Sequence, residues 1–89
     1  MLIRSQDKRI LINMNNVSSI EVGDNELRIF ADDGETIYDL GSYSTRAKAM
    51  KLLDMVQDAY ERYEYEKVFK TGLTLFETFQ MPEDGSAEV

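Results

Sequence analysis

The spacing of apolar residues along this chain changes close to residue 44. Before that point, short apolar runs are separated by turn-forming residues, which predicts strands at MLIR, RILINM, VSSIEV, ELRIFA and TIYDL. Beyond it, apolar residues recur at every third or fourth position, which predicts a helix from Ser44 to about Tyr65. The expected apolar stripe of this helix consists of Ala49, Leu52, Leu53, Val56, Ala59, Tyr60 and Tyr63. The segment LTLFETFQM then favours a last strand that ends at Pro82.

Two dipeptides in the strand region, Asp24-Asn25 and Asp33-Gly34, predict two-residue hairpin turns because these residue types tolerate a positive φ. Counting outward from these turns gives a meander with two distinct faces. The predicted apolar face consists of Ile20, Val22, Leu27, Ile29, Tyr38 and Leu40. The predicted outer face carries the charge row Glu21–Arg28–Asp39, with Phe30 paired to Ile37 beside it.

These elements predict an α+β fold. We expect an antiparallel β-meander of about four to six short strands, packed against one long helix in the C-terminal half, with a final strand. Residues 1–82 are expected to form a single small domain, and the acidic segment 83–89 a disordered tail. A core built from 89 residues is small, so contact with a partner or a second copy would add stability.

Composition argues against catalysis and against metal or cofactor binding. The chain has no cysteine and no histidine, which removes thiolate chemistry, the usual general base and the usual neutral metal ligand. The acidic loops DDGE and GDNE lack the twelve-residue ligand pattern of an EF-hand and are sufficiently explained as turns. We therefore expect a protein that is not an enzyme and that binds neither a cofactor nor a metal.

Charge and hydropathy narrow the possible partners. The net charge of −7 repels nucleic-acid phosphates and anionic lipid unless the basic residues are segregated. No apolar run approaches the roughly 18–20 residues that cross a bilayer. The first residues, MLIRSQDKR, become charged too early for a signal peptide. These features predict a soluble cytoplasmic protein with no membrane contact.

The stretch LGSYSTRAKAM contains the best candidate for a binding site. Ser44 is the expected N-cap of the helix, with Thr45 as a weaker alternative. A helix N-terminus favours negative charge, and Ser42, Ser44, Arg46 and Lys48 could together hold an anion or an acidic peptide. However, the loop has a single glycine, which is few for a phosphate loop. Plain helix capping is therefore the favoured interpretation, and anion binding stays open.

Phe30 and Ile37 are a second candidate, as an interface. On the predicted meander both lie on the face that the helix does not cover, where they would form an apolar patch bordered by charges. Patches of this kind often contact other proteins. The alternative is that another segment buries them, through Phe76 or Phe79.

Three segments together carry a resemblance: LIRSQDKRILINMNNVSSIEV, LGSYSTRAKAMKLLDMVQDAY and FQMPEDGSAEV. With them the chain resembles a group of short proteins from phages, prophages and genomes of Gram-positive bacteria, usually carried as hypothetical or phage proteins. The resemblance covers nearly the whole chain except EYEKVFKTGLTL. It implies a compact domain of strands followed by a helix in a bacterial host cell, and it transfers no functional residue. Members of the group often have an acidic residue in the first helical turn, where this chain has Arg46.

The expected function is a non-enzymatic one, carried out through contacts with a protein partner or through self-association. Two alternatives remain. In the first, nucleic acid binds to a basic spot at the helix start and N-terminal region, formed by Arg4, Lys8, Arg9, Arg46, Lys48 and Lys51. In the second, an acidic helix surface mimics DNA and inhibits a host enzyme, through Asp54, Asp58, Glu61 and Glu64.

Overall fold

A computed structural model of the chain describes residues 1–24, 27–69 and 78–86. Within these ranges, strands and one long helix form an α+β fold, which confirms the predicted fold class. The strands are β1 (Leu2–Arg4), β2 (Leu11–Asn13), β3 (Ser19–Val22), β4 (Arg28–Asp32), β5 (Ile37–Ser42) and β6 (Thr78–Gln80). The helix α1 spans Arg46–Phe69, and short 3₁₀ helices lie at Met14–Asn16 and Asp84–Ser86.

The strands form two three-stranded sheets, with orders β2-β1-β6 and β3-β4-β5. All pairs are antiparallel except β1–β6, which is parallel. The chain changes sheet at the 3₁₀ helix after β2, where the Asn13 side chain accepts a hydrogen bond from the Asn15 N–H at 2.9 Å. The two sheets meet where the Gln6 N–H donates to the Leu40 carbonyl at 2.8 Å.

The predicted register is wrong by two residues throughout the first hairpin. In the second hairpin it is wrong by two as far as Phe30 and by three from Ile29 on, because the pairing shifts between these two residues. Ile20 pairs with Ala31 and not with Ile29, while Tyr38 also pairs with Ala31. In the second hairpin the Asp33 side chain accepts hydrogen bonds from the Glu35 and Thr36 N–H groups at 2.9 and 2.7 Å. This side-chain bonding favours a four-residue loop over the predicted two-residue turn.

A shift of two residues keeps each side chain on its predicted face, because the side-chain period of a strand is two. Ile29 and Leu40 are therefore fully buried, as predicted. Leu27 is an exception, since it lies before β4 and is 42% exposed. The predicted row Glu21–Arg28–Asp39 is also wrong: Phe30 lies between Glu21 and Asp39, and Arg28 reaches Asp39 only diagonally, through an ion pair.

The core lies between α1 and the two sheets. Its buried apolar side chains are Met1, Ile3, Ile12, Ile29, Ala31, Leu40, Tyr43, Ala49, Leu52, Val56 and Met81. The predicted helix stripe is confirmed, because all of its members are either buried or packed against this core. At 24 residues the helix is about 36 Å long, so its last turns extend past the much shorter strands. Tyr65 and Val68, near its C-terminal end, are 59% and 67% exposed.

The described C-terminal residues, 78–86, which we call the C-terminal segment, begin with β6, and β6 pairs with β1. Of the predicted strand LTLFETFQM, the part from residue 73 to residue 77 lies outside the described residues, and the rest contains β6. Residues 83–86 of the expected disordered tail differ from that prediction, because they include a 3₁₀ helix in which the Ser86 N–H donates to the Glu83 carbonyl at 3.0 Å. Residues 87–89 lie outside the described residues.

Candidate functional site

Thr45, and not the favoured Ser44, caps the start of α1. The Thr45 hydroxyl accepts a hydrogen bond from the Lys48 N–H at 3.1 Å, and the Thr45 carbonyl accepts one from the Ala49 N–H at 3.2 Å. This is the usual N-cap arrangement. The prediction of Ser44 as the cap is wrong, because Ser44 lies one residue before the capping position. The Ser44 N–H donates to an acceptor outside the helix.

That acceptor is a carboxylate from the chain's own C-terminal segment. The Ser44 N–H donates to Asp84 Oδ1 at 2.6 Å, and Lys48 Nζ lies 3.2 Å from Asp84 Oδ2 and 3.3 Å from the Asp84 carbonyl oxygen. The hydrogen bond from Ser44, supported by that from Lys48, holds the pKa of Asp84 below its ordinary value. Two of the predicted anion-site residues, Ser44 and Lys48, therefore do surround an anion, and it is Asp84.

The other two predicted members of the anion site, Ser42 and Arg46, lie apart from Asp84. The Arg46 guanidinium donates to the Gly23 and Asp24 carbonyls at 2.5 and 3.1 Å, which joins the helix start to the end of β3. The Ser42 N–H donates to Gln6 Oε1 at 3.0 Å. Arg46 and Ser42 are thus each held by hydrogen bonds to other parts of the fold. The four residues therefore do not converge on one ligand.

Further contacts hold the C-terminal segment against β1 and the β5–α1 connection. The Pro82 carbonyl accepts hydrogen bonds from the Tyr43 hydroxyl at 2.8 Å and from Gln6 Nε2 at 3.3 Å. Burial, together with the nearby Asp84 carboxylate, raises the pKa of Tyr43 to about 12, so its hydroxyl stays a donor at all physiological pH values. Met81 is 1% exposed and anchors the segment in the core.

A pH dependence follows from the Asp84 contact. A carboxyl group whose pKa is lowered by folding stabilises the folded state above its unfolded pKa, and this contribution is lost as the pH falls through the folded pKa. The contact is therefore expected at neutral pH and should be lost on acidification below pH 3.8, the ordinary value for Asp84. In an NMR titration, the Ser44 amide proton should move upfield through this acid step.

Asp84→Asn should abolish that step while leaving the fold in place, because 41% of the Asp84 side chain is exposed and asparagine has nearly the same shape. Glu83→Gln is the matched control, since it removes an exposed negative charge from the adjacent residue. If the Ser44 amide proton titrates identically in the Asp84→Asn variant, the Asp84 contact does not exist in solution.

Phe30 and Ile37 lie on the outer face of the β3-β4-β5 sheet, although they are not directly paired. Phe30 is opposite Asp39, and Ile37 is opposite Asp32. Ile37 is 65% exposed, and Phe30 is half-buried outside the core. The alternative cover through Phe79 is not seen, because Phe79 packs against the core from β6, in the other sheet. Phe76 lies outside the described residues. We call these two residues the Phe30–Ile37 patch.

Two grooves follow the two sides of α1. The first has a volume of about 450 Å³ and runs between the helix and β3; we call it the β3 groove. Its apolar lining consists of Met14, Val17, Ile20, Leu53, Val56 and Tyr60. The second, of about 360 Å³, runs between the other side of the helix and β6, where Asp58 and Arg62 form part of its wall.

Two acidic side chains of the β4–β5 turn, Asp32 and Asp33, bond to the backbone of that turn. Asp32 accepts a hydrogen bond from the Gly34 N–H at 2.7 Å, and the bonds from Thr36 and Glu35 lower the pKa of Asp33. Residues 1–24, 27–69 and 78–86 contain no group of three or more acidic, cysteine or histidine residues arranged to hold a metal ion. Over the same ranges, no helix has the length and apolar character needed to span a membrane.

The fold and contacts thus define a small α+β protein in which the side-chain carboxylate of Asp84 contacts the helix start. Comparisons of the chain with protein-family models, with curated proteins and with solved structures found no match. The resemblance to short phage and prophage proteins is therefore a hypothesis that these comparisons leave untested.

Proposed function

We propose that this chain is a small non-enzymatic protein, of the kind carried by phages and prophages of Gram-positive bacteria, which acts in the bacterial cytoplasm by contacting another protein or a second copy of itself. The observation that carries this proposal is the Phe30–Ile37 patch. Ile37 leaves 65% of its surface in water on the sheet face opposite the helix. The charged neighbours Asp39 and Arg28 form an ion pair beside the patch, which gives it the polar border typical of an interface.

Replacing Ile37 with serine tests the proposal. Burying an isoleucine side chain in an interface stabilises it by roughly 1.5–3 kcal/mol, so Ile37→Ser should weaken association by about tenfold or more. Because Ile37 is exposed, the fold should not change. Association is measured by light scattering during size-exclusion chromatography, over a range of concentrations and after incubation with a lysate of the native host.

Leu11→Ser is the matched control, because Leu11 is also an exposed strand residue, at 57%, but lies in the other sheet. It should leave association unchanged. A wild-type chain that stays monomeric and retains no host protein contradicts the proposal. Equal effects of the two substitutions contradict the assignment of the interface to the patch.

A second candidate function is inhibition of a host enzyme by an acidic helix surface that mimics DNA. Asp54, Asp58 and Glu61 are exposed along the helix, and none of the ion pairs among the described residues involves them. This function requires competition with DNA for a basic partner, and loss of that competition when these side chains are neutralised. Nucleic-acid binding at the helix start is less well supported, because Arg46 and Lys48 are held by Gly23, Asp24 and Asp84.

A further inference from the structure

The outer edge of β3 offers unpaired backbone groups. β3 is an edge strand of the β3-β4-β5 sheet, and no strand of the described residues pairs with its other side. The Gly23 N–H donates to the Arg28 carbonyl at 3.3 Å, and the antiparallel register continues from there through Glu21 opposite Phe30. Because hydrogen-bonded pairs alternate in an antiparallel ladder, the N–H and C=O groups of Ile20 and Val22 point away from β4.

This edge runs directly beside the β3 groove. Arg46, at the helix start, contacts the carbonyls that follow β3, whereas Glu61, fifteen residues further along the helix, lines the groove beside Ser19. β3 and α1 therefore run in opposite directions and form the two walls of the groove. An extended chain that paired with Ile20 and Val22 would place every second side chain over the apolar lining, because side chains alternate along a strand.

The charges around the groove favour a basic occupant. Glu61 lies on its helix wall, and Asp54, Gln57 and Glu64 follow the same side of the helix at spacings of three and four residues. Glu21 is exposed on the outer face of β3. The side chains of an added strand that do not enter the groove would lie next to it on that face. The residues that line the groove include neither lysine nor arginine. Arg46, at the far end, donates its guanidinium to backbone carbonyls.

We propose that the β3 groove binds an extended basic segment of a partner protein, which adds to the sheet as a fourth strand beside β3. Apolar residues at alternate positions of that segment enter the groove, and lysine or arginine residues between them lie on the outer face beside Glu21. The acidic side of the helix adds to the negative potential around the segment. A second copy of this chain fits less well, because each copy carries a net charge of −7 and would bring Glu21 towards its own counterpart. The proposal concerns a site separate from the Phe30–Ile37 patch and does not depend on it.

Amide hydrogen exchange of the full chain tests the free edge without a ligand. The amides of Ile20 and Val22 should exchange at least about a hundredfold faster than the amide of Glu21, whose N–H points to β4. Protection of all three amides to the same degree would mean that the edge is already covered, and this would overturn the proposal.

Binding is tested with a fluorescein-labelled seven-residue peptide of alternating lysine and valine, followed by fluorescence anisotropy at low salt. The same peptide with glutamate in place of lysine is the charge control, and a version N-methylated at alternate amides is the backbone control. We expect only the unmethylated lysine peptide to bind, and to slow exchange at Ile20 and Val22. No binding of the lysine peptide, or equal binding of the glutamate or methylated peptide, contradicts the proposal.

Two charge reversals on opposite sides of the helix locate the site. Glu61→Lys should weaken binding of the lysine peptide by about tenfold, because it places a positive charge in the β3 groove. Asp58→Lys makes the same charge change at the other groove and should alter binding by less than about twofold. Equal effects of the two variants would overturn the assignment.

Ile37→Ser separates this site from the proposed interface and should leave peptide binding unchanged. If peptide binding fails while association that depends on Ile37 persists, only the β3 site is wrong. Loss of Ile37-dependent association with peptide binding intact would instead contradict the Phe30–Ile37 interface alone.

Discussion

Leu52→Ala is expected to destabilise the protein by about 2–5 kcal/mol, which is the usual cost of removing a buried leucine side chain and leaving a cavity. Leu52 has no exposed surface and belongs to the core between α1 and the two sheets. A chain of 89 residues has a total stability of roughly 4–13 kcal/mol. The substitution should therefore remove a large share of it and leave a substantial unfolded population at 37 °C if the wild-type value lies near the lower limit.

The free energy of unfolding is measured by urea titration followed by circular dichroism at 222 nm. Leu11→Ala is the matched control, since it is the same substitution at a leucine that is 57% exposed. It should change stability by less than about 0.5 kcal/mol, as expected for most surface positions. A loss below about 1 kcal/mol at Leu52 would mean that the helix does not pack on the sheets as described.

Met81→Ala is expected to cost a similar amount, about 2–5 kcal/mol, but to act first on the C-terminal segment. Met81 is the fully buried side chain among the described residues of this segment, and its N–H donates to the Arg4 carbonyl at 2.9 Å. Shortening the side chain removes the fully buried anchor, so the β1–β6 pairing, the half-buried Phe79 and the hydrogen bonds to Pro82 and Asp84 would have to hold the segment. Surface-exposed hydrogen bonds contribute little to that, because water competes for both partners.

Urea titration gives the overall loss, and amide exchange shows where it acts. In the Met81→Ala variant, the amides of Ser44 and of residue 81 should lose protection more than the amide of Ala31 in β4. Met50→Ala is the control, because Met50 lies on the helix with 41% of its surface exposed. A uniform loss of protection over the chain would indicate that the segment does not open independently.

The helix and the strand faces could be predicted because each depends on a local period. The stripe from Ala49 to Tyr63 repeats every three or four residues, and burial follows it. The strand faces survived an incorrect register because an error of two residues preserves them. The register itself was not predictable from the dipeptide Asp33-Gly34 alone, since the Asp33 side chain selects the longer loop by accepting backbone hydrogen bonds.

The candidate site was predictable only in part, because its two halves are distant in the sequence. Ser44 and Lys48 indicated an affinity for anions, but nothing local shows that Asp84, separated from Lys48 by 36 positions, supplies the carboxylate. The acidic composition of residues 83–89 instead suggested a tail. The sequence does show an aspartate two residues after Pro82 and the basic residues Arg46 and Lys48 at the helix start, but not that the two are neighbours.

The parallel pairing of β1 with β6 has a consequence for how this protein reaches its fold. The bond from Gln6 to Pro82 joins residues 76 positions apart, so the β2-β1-β6 sheet is completed only after β6 has been synthesised. Contacts of such long sequence separation slow folding, because a long loop must close before they form. During translation, β1 and β2 would leave the ribosome before β6, as a hairpin in which the β1 edge is still unpaired. This sheet is therefore expected to fold only after β6 has left the ribosome.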